Sequence, residues 1–125
     1  MAINSLIQQL RFLSESTNGK QIKITETATP GNALHIATSG GNEVDVVTIE
    51  AINKSGGSVL LTIEFGGVAS PDDHVEVTIP ARTVAAAPTV VLNQRRINGG
   101  LTIAAFAASA NVIEIYGEVG RYPMG

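Results

Sequence analysis

The residues of this chain with types and spacing suited to chemistry are two histidines, three strand-borne glutamates and one arginine pair. Asp72-Asp73-His74 offers two carboxylates and an imidazole, all legitimate ligands for a divalent cation. Consecutive residues entering a strand point to alternate faces, however, and Asp is a habitual turn residue. A polar turn leading into a strand is therefore expected, and no metal ligand is assigned. His35 stands between Leu34 and Ile36, on the opposite face of its short strand, and is expected to meet solvent or a hydrogen-bond partner rather than a substrate. Glycoside hydrolysis needs two acids facing each other across a cleft ~5–10 Å wide. Glu50, Glu64 and Glu76 each lie opposite an apolar row, so if their strands are neighbours they line one face. That alternation is the default for a half-exposed sheet and makes the face a solvated one. No G-x-S-x-G nucleophile elbow occurs, and Gly40-Gly41 and Gly66-Gly67 lead into strands or loops rather than the helix start a phosphate loop requires. No catalytic residue and no cofactor is expected; the chain reads as non-enzymatic.

Arg95-Arg96, with Arg82 and Lys54, is the one local basic grouping. It could hold a phosphate or a sulfated glycan, but two loop arginines more often form salt bridges at the rim of an interface. Single-stranded nucleic acid or sugar rings would call for stacked aromatic side chains. Phe12, Phe65, Phe106, Tyr116 and Tyr122 are few and scattered, which disfavours a carbohydrate-binding face.

The elements that must position these groups follow from composition and period. The 125 residues are 44% hydrophobic and only 15% charged, enough for one domain with a continuous core and too ordered in character for a disordered chain. Aromatics are 4%, so β-branched and small side chains must fill that core. The formal charge of −3 leaves no electrostatic footprint for nucleic acid, and the absence of cysteine excludes disulfides and thiolate zinc sites. The first residues lack the basic and unbroken apolar regions of a secretory signal, and no apolar run approaches the ~20 residues that span a bilayer. The expectation is a soluble product, or one assembled into something larger, with no membrane partner.

Ile3, Leu6, Ile7, Leu10 and Leu13 fall at helical spacing, which predicts a short N-terminal helix or docking arm, with Phe12 off its stripe. Ser16-Thr17-Asn18-Gly19 ends it, giving an arm over 1–19 and a β domain over 20–125. From Lys20 the period is two. Ile22 and Ile24 alternate with Lys23 and Thr25, and Ala33 to Ala37 forms a second short run. Val44 to Asn53 carries Val47, Ile49 and Ala51 on one face, while Asp45, Thr48 and Glu50 make the rest amphipathic. Asn53-Lys54-Ser55-Gly56-Gly57 then leads directly into Ser58 to Phe65, which predicts a hairpin of these two strands. His74 to Ile79 alternates strictly, Thr89 to Leu92 is another strand, Asn93 to Gly100 reads as a basic loop, and Leu101 to Ala107 and Val112 to Val119 complete the set. Roughly seven or eight short strands with regular turn signals and no crossover helices predict a single-domain, all-β antiparallel sandwich, jelly-roll-like.

Two strands have apolar residues on both faces. Leu101 to Ala107 has Leu101, Ile103, Ala105 and Ala107 on one face and Ala104 and Phe106 on the other, and Val46 and Ile52 lie away from the Val47 row. Such strands are covered on both sides, by a neighbouring subunit or by a loop or the N-terminal segment of the same chain.

The series Val47-Thr48-Ile49-Glu50-Ala51-Ile52-Asn53 and Leu61-Thr62-Ile63-Glu64-Phe65-Gly66-Gly67 resembles small β-structured virion proteins of tailed bacteriophages. Leu101 to Ile113, Tyr116-Gly117-Glu118-Val119-Gly120-Arg121 and Ser16-Thr17-Asn18-Gly19-Lys20 extend the likeness over most of the chain. These are strand and turn patterns, with no chemical motif to carry over. The resemblance implies a capsid decoration (cement) or head-associated protein, made in the host cytoplasm and carried on the capsid surface. Its partner would be the shell of major capsid protein, and its own state a homo-oligomer, a trimer above all. Termini used as clasps would place contacts at Leu6, Leu10, Arg121 and Tyr122. Arg95, Arg96 and the outward Phe106 complete the expected contact set. A host-glycan or receptor-binding module, and a tail or neck component, are the alternatives.

Overall fold

A computed structural model describes residues 10–124. Among the described residues, alternation of β-branched and polar residues produces nine strands: β1 (Leu10–Phe12), β2 (Ile22–Lys23), β3 (Asn32–Ile36), β4 (Glu43–Asn53), β5 (Val59–Phe65), β6 (His74–Ile79), β7 (Thr89–Ile97), β8 (Thr102–Ala107) and β9 (Ile113–Pro123). They form two antiparallel sheets packed face to face, as the alternation predicts. The first runs β1-β9-β4-β7, with β2 also on β9, and the second runs β3-β8-β5-β6. Strand pairs 2·9, 3·8, 4·7 and 5·6 make the chain one long ribbon, folded back on itself at the 66–73 loop. Further pairing of β4 with β9 and of β5 with β8 then closes each sheet.

The core lies between the sheets. Val47, Ile49 and Ala51 of β4 and Ile113, Ile115 and Val119 of β9 face Leu61 and Ile63 of β5 and Ile103, Ala105 and Ala107 of β8. Each isoleucine is buried completely, a contribution of about 1.5–3 kcal/mol apiece. Phe65 stays at the margin, where the Arg95 guanidinium sits 4.5 Å from its ring centroid.

The structure corrects the sequence expectations at four places. Residues 10–13 are extended, not helical: β1 pairs with β9, and Leu13 is buried in the core against the bare backbone of Gly117. A Cβ on Gly117 would lie 2.8 Å from the Leu13 side chain, so this close approach requires glycine. Ile3, Leu6 and Ile7 of the expected helical stripe lie outside the described residues.

The expected hairpin of β4 with β5 does not exist, because the two strands belong to different sheets. Asn53 makes the turn between them a corner. Its amide donates to the carbonyls of Gly57 (2.8 Å) and Ile79 (3.2 Å), and its oxygen accepts from the Ser55 amide (2.9 Å) and hydroxyl (2.7 Å). These bonds hold the turn against β6 and carry the chain across the sandwich.

Asn93 to Ile97 continue β7 rather than forming a loop, with a bulge where Gln94 takes a φ of 54°. Bulge and arginines together protect this sheet edge from unwanted pairing. Finally, β9 runs to Pro123, so Arg121 and Tyr122 are strand residues paired with Asp45 and Val44.

The outer face of β8 is covered by the chain itself. Across from Ala104, Glu64 accepts hydrogen bonds from the Gly31 amide (2.7 Å) and the Thr29 hydroxyl, which bind the 25–31 loop over the second sheet. Beside them the His74 ring stands edge-on to Phe106, with centroids 5.8 Å apart.

Candidate functional site

Even-numbered residues of β9 point away from the core: Tyr116, Glu118, Gly120 and Tyr122 lie on the outer face of the first sheet. The matching outward residues of β4 are Val46 and Thr48. Because β1 attaches to β9 beside Glu118 and Gly120, Leu10 and Phe12 rise along one side of this face, and Gln94 closes the other. The result is a groove of about 430 Å³. Its rim is apolar and open to solvent, with Leu10 71%, Phe12 52% and Tyr122 38% exposed. The Tyr122 ring lies across Gly120, where a Cβ would be 2.5 Å from it. At the groove floor the Tyr116 hydroxyl donates to Glu118 Oε2 over 3.3 Å. Burial, then the Glu118 and Glu50 carboxylates, push the Tyr116 phenol above its ordinary pKa, so it remains a neutral donor. Aromatic faces, a carboxylate, an amide and the Arg11 cation suit contact with another polymer surface or a sugar ring.

The titratable residues that the sequence singles out do not meet there. Glu50 is on the outer face of the first sheet, whereas Glu64 and Glu76 belong to neighbouring strands of the second. Glu76 is exposed, while Glu64 is buried and holds the 25–31 loop, so the three acids do not line one solvated face. Asp72, Asp73 and His74 go separate ways. Asp72 is exposed, Asp73 Oδ2 accepts from the Ala69 amide (3.0 Å) within its turn, and His74 Nε2 lies on the outer face of the second sheet, 3.8 Å from Glu64 Oε2. Among the described residues no group of three or more His, Cys, Asp or Glu could hold a metal ion.

His35 meets a partner inside the protein. A bulge in β3 between Ala33 and His35 turns both Leu34 and His35 inward. His35 Nε2 lies 2.8 Å from Asp45 Oδ2, and His35 Nδ1 accepts from the Ser14 amide at 3.0 Å. Since the Ser14 N–H can only donate, Nδ1 is bare and Nε2 carries the proton toward Asp45. Arg121 completes the cluster, donating from Nε to Asp45 Oδ1 (2.8 Å) and from Nη2 to Oδ2 (3.1 Å), and the Thr38 amide also donates to Oδ2 (3.0 Å). Burial pushes the Asp45 carboxyl up, but the hydrogen bonds from Arg121, His35 and Thr38 and the Arg121 charge outweigh it and hold the group below the usual carboxylate range. The same hydrogen bond to Asp45 raises Arg121 against the opposing effect of its burial. Asp45 is thus a core-facing ion, not part of the solvated face to which Thr48 and Glu50 belong.

Of the expected contact residues, Leu10 and Tyr122 come together at the groove. Arg95 and Arg96 are exposed on β7, Arg95 over Phe65 and Arg96 across from Val46. Phe106 lies on the opposite side of the molecule, half-buried beneath His74. Arg121 points inward to Asp45, and Leu6 lies outside the described residues. Phe12 and Gln94 are groove residues that the sequence pattern does not mark. The single available signal was the odd–even parity of β9, which puts Tyr116, Glu118 and Tyr122 on one face. No helix among the described residues is long and apolar enough to cross a membrane. Comparison with protein family models, with curated proteins and with solved structures finds no match.

Proposed function

We propose that this chain is a non-enzymatic structural protein of a tailed-phage virion, a capsid decoration or cement protein that binds the head shell. The observation that carries the reading is the apolar-rimmed groove of the first sheet, where Leu10, Phe12 and Tyr122 stand exposed on paired strands rather than on a mobile loop. Exposed aromatic and aliphatic groups held on a rigid face are the usual anchors of a protein interface. The polar side chains inside the fold support the same reading, since Asp45, Glu64 and the half-buried Arg121 are engaged in holding strands and a loop together. The ribbon pairing of 2·9, 3·8, 4·7 and 5·6 agrees with a jelly-roll organisation, a double-sheet architecture used by viral capsid proteins. In this account the protein acts as a trimer on the outer surface of the shell.

The test is co-sedimentation with head shells of the phage that encodes the protein, run beside light scattering for solution mass. Wild type should bind saturably and have the mass of a trimer, and Phe12→Ala with Tyr122→Ala should weaken binding by at least about 30-fold, the loss expected of a hot-spot residue. Unchanged binding by that variant would remove the groove from the interface, and no binding by wild type would refute the cement reading. Tyr116, Tyr122, Gln94 and Glu118 in one groove also favour a second reading, a host-glycan module. It predicts glycan-array binding that is lost on truncation of Tyr116 or Tyr122.

A further inference from the structure

We propose that His35 is an acid-sensitive latch for the strand that forms one wall of the groove. The segment after β1 is fastened to β3 by three hydrogen bonds besides the Leu13 anchor. The Ser14 amide donates to His35 Nδ1 (3.0 Å), the Glu15 amide to the Leu34 carbonyl (3.2 Å), and the Ile36 amide to the Ser14 hydroxyl (2.7 Å). The first of these is conditional. It exists only while Nδ1 is an unprotonated acceptor, and Nε2 cannot take over, being directed at Asp45. A proton arriving on His35 must therefore bind Nδ1, where it confronts the Ser14 N–H with a second donor.

The surroundings decide which contact yields. From β4, Asp45 faces the imidazole, with Glu43 one step removed through the Thr38 hydroxyl (2.8 Å). From β9, Arg121 shares the same carboxylate. β8 presents only Ile103 across from His35, and the fastened segment contributes Glu15, whose carboxylate accepts from the Ser14 hydroxyl (3.2 Å). Asp45 supplies the counter-charge that keeps a protonated ring in place, already gripped by Arg121 and the Thr38 amide. The Ser14 bond has no such support. Protonation consequently opens the Ser14–His35 contact while the sandwich stays closed, loosening the segment that carries Leu10 and Phe12. The latch stands whether or not the groove meets a shell.

The chain has two histidines, so the other one is the natural control. The experiment is amide hydrogen exchange on the whole protein at about pH 8 and about pH 5, corrected for intrinsic rates. It is read with imidazole nitrogen NMR and repeated on His74→Gln. At about pH 8 the NMR should place the proton of His35 on Nε2. On acidification the protection of Ser14, Glu15 and Ile36 should fall about 5- to 10-fold, the loss of roughly one net hydrogen bond. Lys54, which donates to the Val112 carbonyl far from the latch, should keep its protection, and His74→Gln should behave as wild type. His35→Asn, whose side-chain oxygen can stand in for Nδ1 without titrating, should abolish the change. A proton on Nδ1 at about pH 8, equal protection at both pH values, or loss of protection at Lys54 in step with Ser14 would each overturn the proposal. The wild-type exchange decides the matter even if His35→Asn does not fold.

Discussion

Replacing Asp45 by asparagine removes one charge and almost no volume, and should destabilise the fold by about 3–5 kcal/mol, the range for breaking a buried ion pair from one side. The carboxylate accepts from four donors: Arg121 Nε and Nη2, His35 Nε2 and the Thr38 amide, at 2.8–3.1 Å. An asparagine offers one oxygen in place of two, so its own amide must face at least one of these donors. If the amide takes the Oδ1 position it confronts Arg121 Nε, and if it takes Oδ2 it confronts the other three. A lost hydrogen bond to a charged group is worth about 1.5–3 kcal/mol, and an orphaned buried donor adds about 1–3 kcal/mol. The Asp45 side chain is fully buried, but Arg121 is 23% exposed, so water relieves part of the arginine's loss and keeps the total near the quoted range. His35 cannot adapt by changing tautomer, because Ser14 requires a bare Nδ1. For a domain of this size the expected fall in melting temperature is roughly 10–20 °C. Urea denaturation followed by far-ultraviolet circular dichroism measures the free energy, with exposed Asp72→Asn as the control for the same charge change. The control should stay within about 0.5 kcal/mol of wild type. An Asp45→Asn protein within about 1 kcal/mol of wild type would refute the reasoning.

The same carboxylate sets the acid limb of stability. Its folded-state pKa is depressed, so its stabilisation is complete above the unfolded value of about 4 and is lost as pH falls toward the lower folded value. The unfolding free energy measured at about pH 5, 4 and 3 should therefore fall more steeply with acidification in wild type than in Asp45→Asn, and parallel profiles would contradict this. Asn53→Ala removes four hydrogen bonds at the corner between β4 and β5 and should cost about 2–4 kcal/mol in the same urea assay. Gly31→Ala places a Cβ 2.2 Å from the Ala105 carbonyl oxygen, an approach no side-chain movement can relieve. It should lower stability by about 3 kcal/mol or abolish soluble expression, whereas Gly41→Ala, with open space around it, should melt within a few degrees of wild type.

The fold class was legible because strand parity is a local property. β6 alternates without interruption and packs its Val75, Val77 and Ile79 row against the core, and β5 buries the Val59, Leu61 and Ile63 row that its sequence sets apart. The sheet assignment of β4 and β5 was not legible. A short turn with glycines is compatible with a hairpin and with a corner, and only the reach of Asn53 to Ile79, on a strand distant in sequence, distinguishes them. Asp45 shows a signal present but misread. It shares the odd parity of Val47, Ile49 and Ala51, so its side chain must face the core, where an ion demands a partner. Its partner Arg121 has the parity of Ile113, Ile115 and Val119 on the adjacent strand. His35 was different in kind, since the β3 bulge that turns it inward leaves no mark in the alternation. The groove was only half legible: Tyr116 and Tyr122 share a face by parity. Phe12 joins them only because β1 pairs as a strand, against the helical spacing of its leucines and isoleucines.

A reconstruction of head shells saturated with the protein tests the central claim most directly. The account predicts trimeric density on the outer surface of the shell, shaped as a two-sheet sandwich, with the Leu10, Phe12 and Tyr122 face of the first sheet turned against the capsid subunits. Density confined to the neck or tail, or a sandwich whose first sheet faces solvent, would contradict it.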